Sequence, residues 1–292
     1  RWRPPRARVH PRDAAYLSTS RTNDMRPGPA VLFSAVLLTG LTLGVSVWSQ
    51  TTGGPAAYRP SRNAFGQPDL QGIWQALNTA AWDIQDHSEQ RFPGLPARFS
   101  VPAGQGVVEG NEIPYQPWAT AKRDENFENR LTADPEAKCY LPGVPRITYM
   151  PYPFQVLQFP DRVVILYEHL HATREIYTDG SPHPDIPVEF WMGDSRGRWD
   201  RDSLVVDVTK FTDQTWFDRA GNFHSDALHV VERYTRSSPD HLLYEVTIED
   251  PKVFTRPWKM RMPLYRRQES AIQILEHECY ALARENAPPE AR

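Results

Sequence analysis

Cysteine is scarce in this chain of 292 residues, which has two, Cys139 and Cys279. In an oxidising compartment two cysteines default to one disulfide, and so long a loop allows about 4 to 5 kcal/mol of chain-entropy stabilisation. Two free buried thiols or a nucleophilic thiol are the other readings. Glu276 and Glu278 stand beside Cys279, and flanking carboxylates raise a thiol's pKa, which argues against a nucleophile. Metal-ligand spacing is missing as well: no His-x-x-x-His pattern occurs, and His171, His183, His224 and His229 fall at no standard interval. Neither a metal nor another cofactor is therefore expected. Nor is there an excess of positive charge. The formal charge is −3, and it falls to −8 when residues 1–49, with seven Arg and two Asp, are set aside. An acidic body does not suit a phosphate backbone, which excludes nucleic acid as a partner.

Apolar runs are short, with one exception. Residues 30–47 (AVLFSAVLLTGLTLGVSV) carry no charge, follow Met25 and Arg26, and lead into Val47-Trp48-Ser49, a pattern that suits signal peptidase. The reading is a secretory signal over residues 25–49, preferred to a retained anchor because small residues sit where the peptidase would cut. Residues 1–24, rich in Arg and Pro, read as translated upstream sequence without structure. A basic nucleic-acid-binding arm is the rival, and a secretory signal behind it argues against that. The expected location is periplasmic or secreted, with membrane contact only through the signal segment before cleavage.

Beyond the signal, residues 50–117 are rich in Pro, Gly, Asn and Gln. They read as an irregular arm with one short strand at Leu70–Leu77. Ala119–Leu131 is the helix candidate, stopped near Asp134 and Pro135. The arm, residues 50–135, is expected to pack on a β domain over 136–292, the two making one structural domain. From Phe154 onward short apolar runs alternate with turn residues: Phe154–Phe159, Arg162–His169, Thr173–Tyr177, Ser195–Trp199, Leu204–Val208, His229–Arg236, Leu242–Asp250, Trp258–Tyr265 and Ile272–Cys279. Consecutive hairpins with almost no helix predict an all-β fold, a mainly antiparallel barrel or sandwich of lipocalin-like kind, because these arrangements protect strand edges.

Polar residues inside these runs carry the functional signal. Glu168, His169, His171 and Arg174 cluster on one hairpin, His183 and Asp194 follow in a loop, and His224, His229, Glu232 and Arg233 share a second hairpin arm. Period two sets His229, Val231 and Arg233 on one face of their strand and Val230, Glu232 and Tyr234 on the other, so His229 and Arg233 are candidates for one cavity. One reading is structural, with cross-strand ion pairs tying the sheet. The other is acid/base catalysis, with His229 or His224 as base, Glu168 or Asp194 as partner acid, Arg233 or Arg174 steadying negative charge, and His183 in the same cluster. A serine nucleophile at Ser195 is disfavoured, because Gly193-Asp194-Ser195-Arg196-Gly197 leads into a strand where the nucleophile elbow needs a helix. Trp191, Trp199, Trp216 and Trp258 supply either core packing or the lining of a pocket for a small apolar or aromatic molecule. The function expected is an exported enzyme acting by cofactor-independent acid/base chemistry, of lyase, isomerase or hydratase type. The alternative is a periplasmic carrier that binds a small molecule without chemistry.

Several segments occur together: Pro68-Asp69-Leu70-Gln71-Gly72-Ile73-Trp74, Cys139-Tyr140-Leu141-Pro142-Gly143-Val144-Pro145-Arg146, Gly193-Asp194-Ser195 with Gly197-Arg198-Trp199, Leu204 to Thr209, and His224-Ser225 with His229-Val230-Val231-Glu232-Arg233. Jointly they resemble a family of exported, β-rich bacterial proteins from soil acidobacteria and sphingomonads, across nearly all of the chain after the signal. The resemblance implies export and supports pairing of the two cysteine segments; it implies no activity. Members of that family read Trp-Glu-Gly-Asp where this chain has Trp199-Asp200-Arg201-Asp202, and Arg in place of Gly argues against a positive φ at that turn.

Overall fold

Nine strands pair in chain order into a closed barrel, and along most of them buried side chains alternate with half-buried or exposed ones. The structure, a computed structural model, describes residues 58–90 and 101–281; the expected leader and signal segments lie outside the described residues. The strands are β1 (Gly72–Ala76), β2 (Phe154–Gln158), β3 (Arg162–Tyr167), β4 (Thr173–Tyr177), β5 (Asp194–Asp200), β6 (Ser203–Thr209), β7 (His229–Ser238), β8 (His241–Glu249) and β9 (Trp258–Arg266). Pro160-Asp161, Asp200-Arg201-Asp202 and Pro239-Asp240 make the tight turns after β2, β5 and β7, as their turn chemistry predicts.

Neighbouring strands run antiparallel except β4 and β5, which meet in parallel at Tyr177 and Arg196. The arm does more than pack on the barrel. Its strand β1 pairs with β2 on one side and β9 on the other, and closure removes the two edges that β2 and β9 would otherwise expose. The run Ile272–Cys279, expected as a strand, is not one. It makes an isolated bridge from His277 to His169 and is fastened by a disulfide between Cys279 and Cys139, with Cα atoms 5.6 Å apart. With β1 already seated between β2 and β9, the perimeter has no place for this segment.

The inward face of β7 is Val230, Glu232, Tyr234 and Arg236, all buried, whereas His229, Val231 and Arg233 lie half-buried on the outside. The candidate cavity shared by His229 and Arg233 is therefore not inside the barrel. On β3, Val163, Ile165 and Tyr167 point in, while Val164 and Leu166 are half-covered. Trp74, Phe154, Tyr244 and Leu264 are among the fully buried side chains that fill the interior; each contributes about 1.5 to 3 kcal/mol by leaving water. Trp74 also donates its indole N–H to the Leu70 carbonyl at 3.0 Å.

Arg201 adopts φ +56°, so the tight β5–β6 turn does need the left-handed conformation that its side chain argued against. An arginine there costs about 1 kcal/mol. The helix α1 (Pro117–Ala133) begins with Pro in its first turn and extends the expected segment by two residues at each end. It packs on the loop 216–223, where Asn126 donates to the Gly221 carbonyl at 3.2 Å. A Cβ at Gly221 would stand 2.7 Å from backbone atoms of α1, so only glycine permits this approach.

Candidate active site

The seven predicted site residues separate into four surroundings. Arg174 on β4 points inward and forms a bidentate ion pair with Glu232 on β7, with Nη1 3.1 Å from Oε1 and Nη2 on Oε2. Its Nε donates to Ser195 Oγ at 3.0 Å, and the Tyr234 and Tyr244 hydroxyls donate to Glu232 Oε1 at 3.0 and 2.6 Å. Burial works to lower the Arg174 pKa, but Glu232 outweighs it and holds the guanidinium well above its ordinary value. Both charges have their partners inside the protein, and the network ties β4, β5, β7 and β8 together.

His183, Asp194, His229 and Arg233 lie on the outer face. His183 Nδ1 is 2.6 Å from Asp194 Oδ1, and its Nε2 is 2.9 Å from Asp207 Oδ1; Asp207 Oδ2 is 3.0 Å from His229 Nε2. Arg233 pairs separately with Asp200 at 2.7 Å. His224 is buried elsewhere. Its Nδ1 is 2.9 Å from the Ser225 carbonyl, so that nitrogen carries the proton, and Nε2 accepts from Thr215 Oγ1 at 2.6 Å. Burial lowers its pKa, and neither nitrogen is free for a substrate. Glu168, in the fourth surrounding, accepts the Leu275 N–H at 3.0 Å and holds the C-terminal segment.

The tryptophans divide too. Trp216 and Trp258 are buried, Trp258 edge-on to Phe217 at 5.5 Å. Trp199 is half-buried against the core, and Trp191 packs on Tyr140 at 5.3 Å.

The disulfide brings His277 against His169 and Tyr152, the three rings lying 4.5 to 5.1 Å apart. His169 is 2% exposed, and neither ring nitrogen has a hydrogen-bond partner among the described residues. Burial is the largest cause that pushes its pKa down, to about 4. Nearby, His171, Glu276 and Glu278 bring ligand-type atoms within 4.8 Å of one another. His171 Nε2, however, accepts the His277 N–H at 3.0 Å. A neutral imidazole has one lone-pair nitrogen, so while that bond stands no ring nitrogen is left for a cation.

A different location combines a concavity with perturbed acids. Where the arm, α1 and the β8–β9 turn meet, a cleft of about 430 Å³ is lined by Gln85, Ile113, Tyr115, Arg123, Thr255 and Arg256, among others. Behind it, Asp218 is fully buried and accepts the Ile84 N–H at 2.9 Å and both the backbone and side-chain N–H of Asn222 at 3.1 and 2.6 Å. Tyr115, in the cleft wall, donates to the other side of Asn222 at 2.8 Å. Burial first, and the charge of Asp83 second, push Asp218 up to about 7 despite these donors. Asp83, half-buried and two residues from the cleft-lining Gln85, is raised by burial, while His87 and Arg123 act to lower it. Two carboxylates that share a site resist double ionisation, which leaves a proton available near neutral pH. Sequence reasoning passed over this pair because both lie outside periodic segments. The one signal was Asp218 directly after Trp216 and Phe217, a carboxylate set among aromatic rings.

No protein-family model, curated protein or solved structure matches the chain.

Proposed function

We propose that the protein is an enzyme working outside the cytoplasm, which moves a proton on a small, partly apolar substrate by acid/base chemistry at the cleft beside Asp83 and Asp218. The observation that carries this reading is the carboxylate pair, with Asp218 pushed up to about 7, behind a cleft whose wall includes Arg123. In it, Asp83 exchanges the proton with substrate and Asp218 sets its affinity for that proton. Arg123 lies close enough to act on both Asp83 and Tyr115 and steadies the negative charge that builds up on a carbon acid or leaving group. Ile113, Pro114 and Tyr115 accept the apolar part. Placement outside the cytoplasm is supported by the Cys139–Cys279 disulfide.

Solvent-deuterium uptake tests the proposal before the substrate is known. The protein is incubated in D2O with a panel of small hydroxy acids, keto acids and aromatic compounds, and each compound is read by mass spectrometry. Catalysed exchange or conversion is expected for at least one of them, falling about 100-fold or more in Asp83→Asn. Compounds that bind in the cleft but return unaltered would establish the carrier reading instead.

A further inference from the structure

We propose that His183, Asp207 and His229 form a proton-operated clasp that holds the β4–β5 connection, residues 178–193, on the outer face of the barrel. Both nitrogens of His183 face carboxylates, Asp194 at 2.6 Å and Asp207 at 2.9 Å. Both nitrogens of His229 do the same, with Asp207 at 3.0 Å and Glu249 at 3.4 Å. A neutral imidazole has one N–H, so the full set of contacts exists only when both rings are imidazolium. Removing either proton leaves a lone pair facing a carboxylate oxygen, and that contact turns repulsive.

The charged groups around the rings come from every element of this face. Asp194 and Arg196 stand on β5, Asp207 on β6 and Glu249 on β8, and Arg196 is bound to Asp194 through Nε and Nη2 at 2.7 and 2.9 Å. Three carboxylates then face one guanidinium and two imidazolium rings, a balanced set. Burial works to raise Asp207, but the hydrogen bonds from His229 and His183 outweigh it and hold it below its ordinary value; on His229 the same carboxylate outweighs burial and raises the pKa.

His183 is the one imidazole in the connection itself. Its neighbours there are held by uncharged acceptors: Ser181 Oγ takes Arg196 Nη1 at 2.6 Å and the Ile186 carbonyl takes Lys210 Nζ at 3.0 Å. Ile186 and Val188, beyond the clasp, are exposed. Protonation of His183 and His229 thus completes the tie at His183, between the Ser181 and Ile186 bonds, which do not titrate.

Limited proteolysis of the full protein near pH 5 and near pH 8.5, with rates corrected by those on an unstructured reference peptide, reads the clasp. Protection from cleavage within residues 183–189 is expected to fall severalfold at the higher pH while that of β7 and β8 stays unchanged. His183→Gln should show the low protection at both values. His229→Gln removes a positive competitor for Asp207, so the midpoint for the connection should move to higher pH, and Asp207→Asn should move it lower. These side chains are surface groups, and circular dichroism checks that each variant is folded. Equal protection at both pH values in the native protein, or the native response surviving in His183→Gln, overturns the proposal.

Discussion

Arg174 and Glu232 meet inside the barrel from opposite parts of its wall, and each is the other's only full charge partner in the hydrogen-bonded set that surrounds them. Removing one charge leaves the other buried. Glu232→Gln is expected to lower the unfolding free energy by about 3 to 5 kcal/mol. Arg174→Met combined with Glu232→Gln keeps an acceptor for Tyr234 and Tyr244 without stranding a charge, and should be more stable than Glu232→Gln alone. Urea denaturation of the three proteins checks the order; a double variant weaker than the single would mean that a stranded guanidinium is not what destabilises Glu232→Gln.

The φ of +56° at Arg201 makes Arg201→Gly a stabilising change. Relief of left-handed strain exceeds the extra unfolded-state entropy of glycine, for a net gain of about 0.5 kcal/mol. The readout is a melting temperature raised by about 1 to 2 °C, and a lowered one counts against a left-handed turn.

Acid should weaken the fold through His169. Its folded pKa is pushed down to about 4, while the unfolded chain takes up the proton near the ordinary value of about 6.5. The unfolded state therefore binds more protons in between, so stability is full above about pH 6.5 and declines as pH falls to about 4, by about 3 kcal/mol at most. His169→Phe, which keeps a ring against Tyr152 and His277, is expected to remove this slope. Denaturation midpoints measured through that interval decide it, and parallel curves for the two proteins would rule the cause out.

The disulfide closes a loop of 140 residues. Cys139→Ser with Cys279→Ser should cost about 4 to 5 kcal/mol on the chain-entropy model. Freeing the segment also withdraws His277 from His169, so cleavage by a glutamate-specific protease at Glu269, Glu276 and Glu278 is expected to quicken far more than cleavage within the barrel. Equal quickening everywhere would point to a purely global effect.

Much of the architecture was readable because strands alternate and turns have their own chemistry. Thr173–Tyr177 coincides with β4, and the other core strands differ from expectation by one or two residues at their ends. The disulfide followed from cysteine count. What alternation does not reveal is which of two charged faces turns inward. On β7 one face offered His229 and Arg233 and the other Glu232; the choice depended on Arg174, on another strand, far away in sequence. For the same reason the cluster expected at His183, Asp194, His224 and His229 divides: the first two join His229 through Asp207, and His224 satisfies itself against Thr215 and Ser225. Asp83 and Asp218 were hidden because loops carry no periodicity from which burial can be read.

The closing strand has a kinetic meaning. Trp74, the one residue of β1 paired on both sides, lies against Phe154 and Arg266, so the last seam joins points separated by most of the chain. Contacts so distant along the sequence form late and slowly. Until they do, the nascent molecule is an open trough whose two unpaired rims are adhesive, and the step most vulnerable to aggregation is the arrival of five residues.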